Sequence, residues 1–285
     1  MNSNEQRKLI FNENEYEILS ELFHDETGII LNRSRESLIE SRLRKRLFEL
    51  QLVGSDYIRL VSKDASERKR FVDFLTTHKT EWFREPVHFN FLNEWLHTEG
   101  THIAQKRPLM FWSAASSTGE EAYSIVLDIL KNNFSPTQFR ILGTDISTDC
   151  VDKAELGTFP YSGISNQRTC DILRRGFTKS LGPKGERQIQ ARADVQASIK
   201  FRIFNLYADS LPDDLLFDVI FLRNVLIYFS AEKSAAIIQK ACKHLRIGGY
   251  LVLGLSESLP PDDEFKSFFK NIKSQGSSIY RKINP

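Results

Sequence analysis

From Pro108 onward the chain alternates short apolar runs with amphipathic stretches, and this alternation restricts the possible folds more than any other feature. LMFWSA (109–114) runs into a polar turn, then a stretch with Ala122, Ile125, Val126 and Ile129 on one helical face. FRILGTD (139–145) follows, with a helix opening at Ser147, and then IKFRIFN (199–205), FDVIFLR (217–223) and GYLVLGL (249–255). A helix over about 231–245 separates the last two runs and ends at Gly248-Gly249. Strands that alternate with helices pair in parallel and are covered on both faces. The expected class is therefore α/β, Rossmann-like and doubly wound, with a ligand site at the carboxyl ends of the strands near the topological switch point.

The first hundred residues have a different texture. Tyr16, Leu19, Leu22 and Phe23 recur at helical spacing, as do Ile39, Leu43, Leu47 and Leu50, and then Phe91, Leu92, Trp95 and Leu96. On the helix expected over 34–50, the basic residues Arg35, Arg42, Lys45 and Arg46 share an arc beside the aliphatic stripe. That arc is either a solvated surface or a docking face for an acidic or phosphate-bearing partner. Between Leu156 and Ser198 the periodicity weakens, glycines and prolines mark turns, and Gln188 to Arg192 alternates like an exposed strand. We read this stretch as an insertion carrying a small antiparallel hairpin.

Charge excludes some classes of function. A formal net charge of +2 is too small to make nucleic acid a bulk partner. The three cysteines, Cys150, Cys170 and Cys242, form no C-x-x-C pair, which argues against a disulfide frame or a zinc site. Neither a signal-peptide pattern nor an apolar run of about 20 residues is evident, so we expect a cytosolic, soluble protein that does not insert into membranes.

The loop after the first strand, Ala114 to Glu121, holds one glycine where a dinucleotide fingerprint would hold three, and Glu120 opens the helix. An acid there repels a pyrophosphate and suits a cationic ligand, such as a sulfonium with its amino-acid ammonium. Thr118 and Glu121 also have capping-box spacing, so helix initiation explains part of the pattern. Asp145 ends the second strand, where an acid commonly accepts hydrogen bonds from ribose hydroxyls; the alternative is a helix cap.

Taken in order, TEWFREP (80–86), WSAASSTGEEAYSI (112–125), GTDISTDCVDKA (143–154), FNL (204–206), FDVIFLRNVLIYF (217–229) and GGYLVLGLSES (248–258) resemble the successive motifs of CheR-type chemotaxis methyltransferases. TGIILNRSRESLIESRLRKRLFEL (27–50) resembles that family's N-terminal basic helix. The resemblance implies a small all-helical domain over 1–85 and an S-adenosylmethionine-dependent methyltransferase domain over 86–285, with a β-subdomain at about 156–198. It implies cofactor contacts at His78, Thr80, Arg84, Glu120, Asp145, Asn205, Leu206, Leu222 and Arg223. It also implies a place for Tyr228 near the transferred methyl, which makes Arg84 and Tyr228 the candidate catalytic residues. Arg42, Lys45 and Arg46 become candidates for docking the cytoplasmic helical domain of a chemotaxis receptor. Three positions depart from the family pattern: His78 stands for an asparagine, Ala122 for a proline and Leu255 for a histidine.

The implied reaction suits the residues. A glutamate carboxylate, with a pKa of about 4.3, is ionised at neutral pH and attacks a sulfonium methyl without a general base. The sequence carries no Ser-His-Asp set, H-E-x-x-H motif or paired catalytic acids. We expect no metal requirement, S-adenosylhomocysteine as the second product, and a monomer. The alternatives are a non-catalytic S-adenosylmethionine-binding signalling adaptor, or methylation of nucleic acid or a small molecule. Arg84 could hold a carboxylate of substrate or cofactor, or pair with Glu81 or Glu85; Tyr228 could orient the nucleophile or be a core ring.

Overall fold

A computed structural model of the chain describes residues 10–31, 36–161, 171–272 and 278–284. The expected positions Arg35 and Cys170, and the start of the second helix at 34–35, lie outside the described residues. The chain divides into two compact units, Met1–Thr77 and His78–Pro285. Residues 78–85, which the sequence reading gives to the first domain, belong to the second unit, where the Phe83 amide donates to Ser124 Oγ (3.0 Å).

In the first unit, α1 (Glu13–Thr27), α2 (Glu36–Leu50), α3 (Gly54–Lys63) and α4 (Ala65–Leu75) follow one another. Asn12 and Glu15 close a reciprocal capping box on α1, and Gly28 ends it with φ +75°. The predicted stripes bury their faces: Tyr16, Leu19 and Phe23 from α1, and Ile39, Leu43 and Leu47 from α2. These pack with Tyr57, Val61 and Phe71; the Phe23 and Phe71 rings meet edge to face at 6.1 Å. Burial of each large apolar side chain stabilises by roughly 1.5–3 kcal/mol, and this apolar face, more than helix propensity, holds such short helices.

The second unit opens with α5 (Pro86–Trp95), which runs through one π-helical turn (Leu96–Gly100) into α6 (Thr101–Ala104). The remaining elements alternate as expected. They are β1 (Leu109–Ala114), α7 (Glu120–Lys131), β2 (Phe139–Asp145), α8 (Thr148–Leu156), β3 (Thr158–Pro160), β4 (Phe177–Leu181), β5 (Arg187–Ala191), β6 (Ile199–Ile203), β7 (Phe217–Leu222), α9 (Ala231–Lys243), β8 (Leu245–Leu253), α10 (Asp263–Phe268), β9 (Phe269–Asn271) and β10 (Ile279–Lys282). Seven strands form one sheet in the order β6-β2-β1-β7-β8-β10-β9. The first five are parallel, and β10 runs antiparallel to both β8 and β9. The winding direction reverses between β1 and β7, which is where an open parallel sheet offers a crevice. The insertion forms a separate antiparallel sheet, β3-β5-β4.

Two boundaries differ from expectation. Gly248-Gly249 lies inside β8 and does not end the preceding helix: β8 begins at Leu245 and has a register irregularity against β7 near Phe217 and Val219. A glycine is needed at 249 because an added Cβ would sit 2.8 Å from the Asp218 carbonyl oxygen. The closing strands β9 and β10, too short for alternation to reveal, had no signal in the sequence. Among the described residues no helix is long and apolar enough to cross a membrane.

Candidate functional site

Register brings the functional motifs to one edge of the sheet. Ala114 pairs with Thr144 and with Leu222, Leu222 with Leu253, and Asp145 with Ile203. The loops that leave these carboxyl ends carry Ala115 to Gly119, Asp145, Asn205, Arg223 and Gly254.

The loop after β1 is unusual in its backbone. Ala115 (φ +71°), Ser117 (φ +49°) and Gly119 (φ +100°) all adopt left-handed conformations, which cost energy in the two non-glycine residues. Gly119 is required twice over, because a Cβ there would also approach Ala154 Cβ at 3.0 Å. The Asp145 carboxylate holds the loop: its Oδ2 accepts from the Ser117 amide (2.8 Å) and its Oδ1 from the Ser147 amide (3.0 Å). The cap of α8 is Ser147, whose Oγ accepts from the Cys150 amide (3.2 Å), so the helix-cap alternative for Asp145 falls. Asp145 is buried, and desolvation pushes its pKa above the ordinary carboxylate value against the pull of those amides and of His78.

Glu120 also has a raised pKa, again mainly from desolvation, with the Thr118 hydroxyl (2.6 Å) pulling it back. The capping box expected from Thr118 and Glu121 does not form: the N-cap of α7 is Gly119, without a side-chain bond. Glu121 turns inward instead, accepting from Ser113 Oγ (2.7 Å) and Arg223 Nη1 (2.9 Å). Two desolvated acids, Glu120 at the start of α7 and Asp145 at the end of β2, favour a cation and hydroxyl donors over a phosphate.

Arg223 has no solvent-facing role. Its side chain is 1% exposed and bonds Glu121, Glu85 Oε2 (3.0 Å) and the Arg84 carbonyl oxygen (2.5 Å), with the guanidinium 5.9 Å over the Phe89 ring. Glu85 accepts in addition from Asn224 Nδ2 (3.0 Å) and the Leu255 amide (3.3 Å). Nearby His88 is fully buried; desolvation first, and then the Arg223 charge, push its pKa down to about 4, so its ring is neutral beside Glu85. A second carboxylate, Glu257, accepts from the amides of Asn224 (2.7 Å), Leu226 (2.8 Å) and Gly254 (2.7 Å). Glu85 and Glu257 thus clamp three loops: 78–85, 223–228 and 254–257.

The other expected residues divide by position. Arg84 lies between Phe83 (φ +52°) and Glu85 (φ +56°), half-buried, with Nη1 donating to the Lys79 carbonyl (3.0 Å); Thr80 and His78 are half-buried on the same loop. Tyr228, also half-buried, ends the 3-10 turn Leu226–Tyr228 that Glu257 anchors. Asn205 Oδ1 accepts from the Tyr207 amide (2.9 Å) and shapes the turn after β6. Leu206 and Leu222 are core residues whose side chains pack with Trp112 and Phe217, so any ligand contact there is through backbone. Of the departures, Ala122 is buried in the core and Leu255 is exposed.

The basic face of α2, in the first unit, is not what its spacing suggests. Arg42 Nη1 donates to the carbonyls of Leu75 (2.8 Å) and Thr76 (2.8 Å) at the end of α4. Arg46, 13% exposed, forms a two-point pair with Glu67 (2.8 and 2.5 Å). Lys45 does project, with 87% of its side chain exposed.

Sequence reasoning missed Glu85, Glu121 and Glu257. Each stands within a quoted motif, but spacing points Glu121 to Thr118 and Glu85 to Arg84, and gives Glu257 no partner.

Comparison with known proteins agrees with this arrangement. The family model described as CheR methyltransferase, SAM binding domain, matches residues 78–275, and CheR methyltransferase, all-alpha domain, matches 14–76. A chemotaxis protein methyltransferase of Vibrio parahaemolyticus is 35% identical over 263 residues, covering 88% of this chain and 91% of its own. A probable chemotaxis protein methyltransferase of Rhizobium etli is 34% identical, covering 91% and 96%. The chemotaxis protein methyltransferase of Escherichia coli is 29% identical, covering 96% and 92%. With both family models matched in order, and relatives of this identity spanning nearly all of both chains, the protein belongs to the CheR methyltransferase family.

Proposed function

We propose that this protein transfers a methyl group from S-adenosylmethionine to glutamate side chains of chemotaxis receptors, in the cytoplasm. The observation that carries the reading is the pair of desolvated acids on the loops at the carboxyl edge of the sheet, Glu120 at the start of α7 and Asp145 at the end of β2. Asp145 accepts from the ribose hydroxyls. Glu120 faces the cationic part of the cofactor, and both acids gain partners beyond the Thr118 hydroxyl and the Ser117 and Ser147 amides that already meet them. His78, Thr80 and Arg84 border the same edge, and the backbone at Asn205, Leu206 and Leu222 completes it.

The reaction asks little of acid–base chemistry. A lone pair of the ionised glutamate forms the new C–O bond while the C–S bond breaks, its electrons returning to sulfur; no proton moves. The protein's work is alignment and exclusion of water. Arg84, held between two left-handed residues, presents a planar guanidinium to the incoming carboxylate. Tyr228 orients that carboxylate by hydrogen bond. Arg223 acts through its buried network to hold the Arg84 backbone.

Docking of the receptor falls to the outer face of α2, where Lys45 and Arg44 are exposed beside Phe48, which is 84% exposed. An acidic amphipathic helix fits such a face. The test is transfer of radiolabelled methyl groups to receptor-bearing membranes, with release of the label by mild alkali as expected for an ester. Label stable to alkali, or S-adenosylhomocysteine binding without transfer, would overturn the assignment.

A further inference from the structure

The fold assembles one grouping that the sequence spacing hides. His78, Asp145 and Cys150 each present a metal-ligating atom, and the three atoms lie within 4.8 Å of one another. Asp145 and Cys150 are buried and His78 is half-buried. The residues come from three places: the start of the loop before α5, the end of β2, and the first turn of α8. Ser117 ties them together. Its amide donates to Asp145, its hydroxyl donates to the His78 carbonyl (3.2 Å), and that hydroxyl lies 3.9 Å from Cys150 Sγ.

We propose that His78, Asp145 and Cys150 form a binding site for a thiophilic divalent cation of the zinc class. One imidazole, one thiolate and one carboxylate, with a fourth position left for water, is a donor set that zinc takes readily. Magnesium and calcium prefer oxygen ligands and are poorly served by it. Bond lengths of roughly 2.0–2.3 Å place tetrahedral ligands roughly 3.3–3.8 Å apart, so the trio must contract by about 1 Å on binding. Asp145 keeps the capacity to ligate, since a carboxylate offers about four lone-pair sites and the two amides use two of them. Forming the metal–sulfur bond displaces the Cys150 thiol proton to solvent, and the resulting thiolate and the carboxylate together neutralise the dication, which makes a buried ion tolerable.

The ion and the nucleoside then compete. Asp145 is the ribose acceptor in the reading above, so a zinc-class ion on the trio excludes the cofactor and inhibits transfer. This second consequence rests on that reading; the metal site itself does not.

Cobalt(II) chloride is the direct probe, because a cobalt–thiolate bond gives a charge-transfer band in the near ultraviolet. The full chain, titrated without cofactor, is expected to develop the band at one equivalent and lose it to zinc chloride, while magnesium chloride has no effect. Cys150→Ser should abolish the band, and His78→Asn, which puts a far weaker ligand on the loop, should weaken cobalt binding at least tenfold. Circular dichroism checks that both variants fold; His78, on a half-buried loop, keeps the test decisive should Cys150→Ser not fold. A wild type without the band, a band persisting in Cys150→Ser, or affinity indifferent to His78→Asn would overturn the site. S-adenosylhomocysteine should bleach the band. A band that forms as described but survives saturating S-adenosylhomocysteine would leave the metal site standing and refute the placement of the ribose on Asp145.

Discussion

Replacing Arg46 with alanine should damage the first unit, although spacing alone makes Arg46 look like a surface charge. Its guanidinium grips Glu67 at two points, 2.8 and 2.5 Å, and the Glu67 side chain is 7% exposed. Removing one partner of a buried pair strands the other charge and costs about 3–5 kcal/mol. Arg46 keeps a solvent edge, so we take the lower end, about 3 kcal/mol. Hydrogen exchange of the intact protein reads this locally. Amides of α2 and α4 should exchange roughly a hundredfold faster, at one decade per 1.4 kcal/mol. Lys45→Ala should stay within about 0.5 kcal/mol of wild type, since that side chain is solvated. Arg46→Met combined with Glu67→Leu removes both charges and should recover all but about 1 kcal/mol. Protection in Arg46→Ala within threefold of wild type, or a double variant as labile as the single one, would refute the reasoning. Loss of receptor methylation in Arg46→Ala would then report unfolding and not docking, and docking must be tested by reversing Lys45.

The remaining predictions concern the second unit. Glu257→Gln turns an amide donor toward backbone N–H groups now satisfied by carboxylate; kcat should fall at least tenfold while the dissociation constant of S-adenosylhomocysteine, measured by calorimetry, stays within threefold. Asp145→Asn should weaken that same binding by about 2 kcal/mol, because a charged acceptor is lost; unchanged affinity would remove Asp145 from the cofactor site. Burial raises the pKa values of Glu120 and Asp145, and the cofactor needs their ionised forms. Affinity should therefore be full above the raised values and fall on acidification, starting at higher pH than the ordinary range of about 3.9–4.3; calorimetry from pH 8 to 5 checks the sign. His88, neutral with its pKa pushed down to about 4, takes up its proton more readily when unfolded. Its contribution is fully present above the unfolded value of about 6.5 and lost as pH falls toward 4, so His88→Leu should lower the midpoint of acid unfolding.

The sequence exposed what depends on periodicity and hid what depends on distant pairing. Apolar runs at 109–114 and 139–145 became β1 and β2 with the expected bounds, because a strand covered on both faces can be read as an uninterrupted apolar segment. The stripe of Ile39, Leu43 and Leu47 was legible for the same kind of reason. The three- and four-residue strands β9 and β10 were not, since β10 is fixed by pairing with β8 and β9 by pairing with β10, and both are too short to alternate. Arg42 and Arg46 show the limit most clearly. Their place on the helical arc was read correctly, but the partners that bury them, the end of α4 and Glu67, lie more than twenty residues away, where helix geometry says nothing.

The same limit governs the site. Residues that touch a ligand sit at strand ends and in motifs, so Glu120 and Asp145 were readable from the two loops alone. Residues that hold those loops need not follow any local pattern, because one carboxylate can gather donors from two separate segments at once. Glu257 binds Asn224, Leu226 and Gly254, and Glu85 binds Arg223, Asn224 and Leu255. Neither acid caps a regular helix with its side chain, so nothing in spacing marks them. Both are buried or nearly so, and burial of a carboxylate is tolerated only where such donors converge. The acids of the site therefore differ in what meets them. Glu85 and Glu257 are satisfied by protein donors: Asn224 and Arg223 hold the pKa of Glu85 low despite its burial, and three backbone amides saturate Glu257. Desolvation raises the pKa values of Glu120, which the Thr118 hydroxyl meets, and of Asp145, which the Ser117 and Ser147 amides meet, and it raises that of Glu121 beside Arg223 as well. What sets Glu120 and Asp145 apart is position, since they lie on the loops that leave the carboxyl ends of β1 and β2, where the crevice opens.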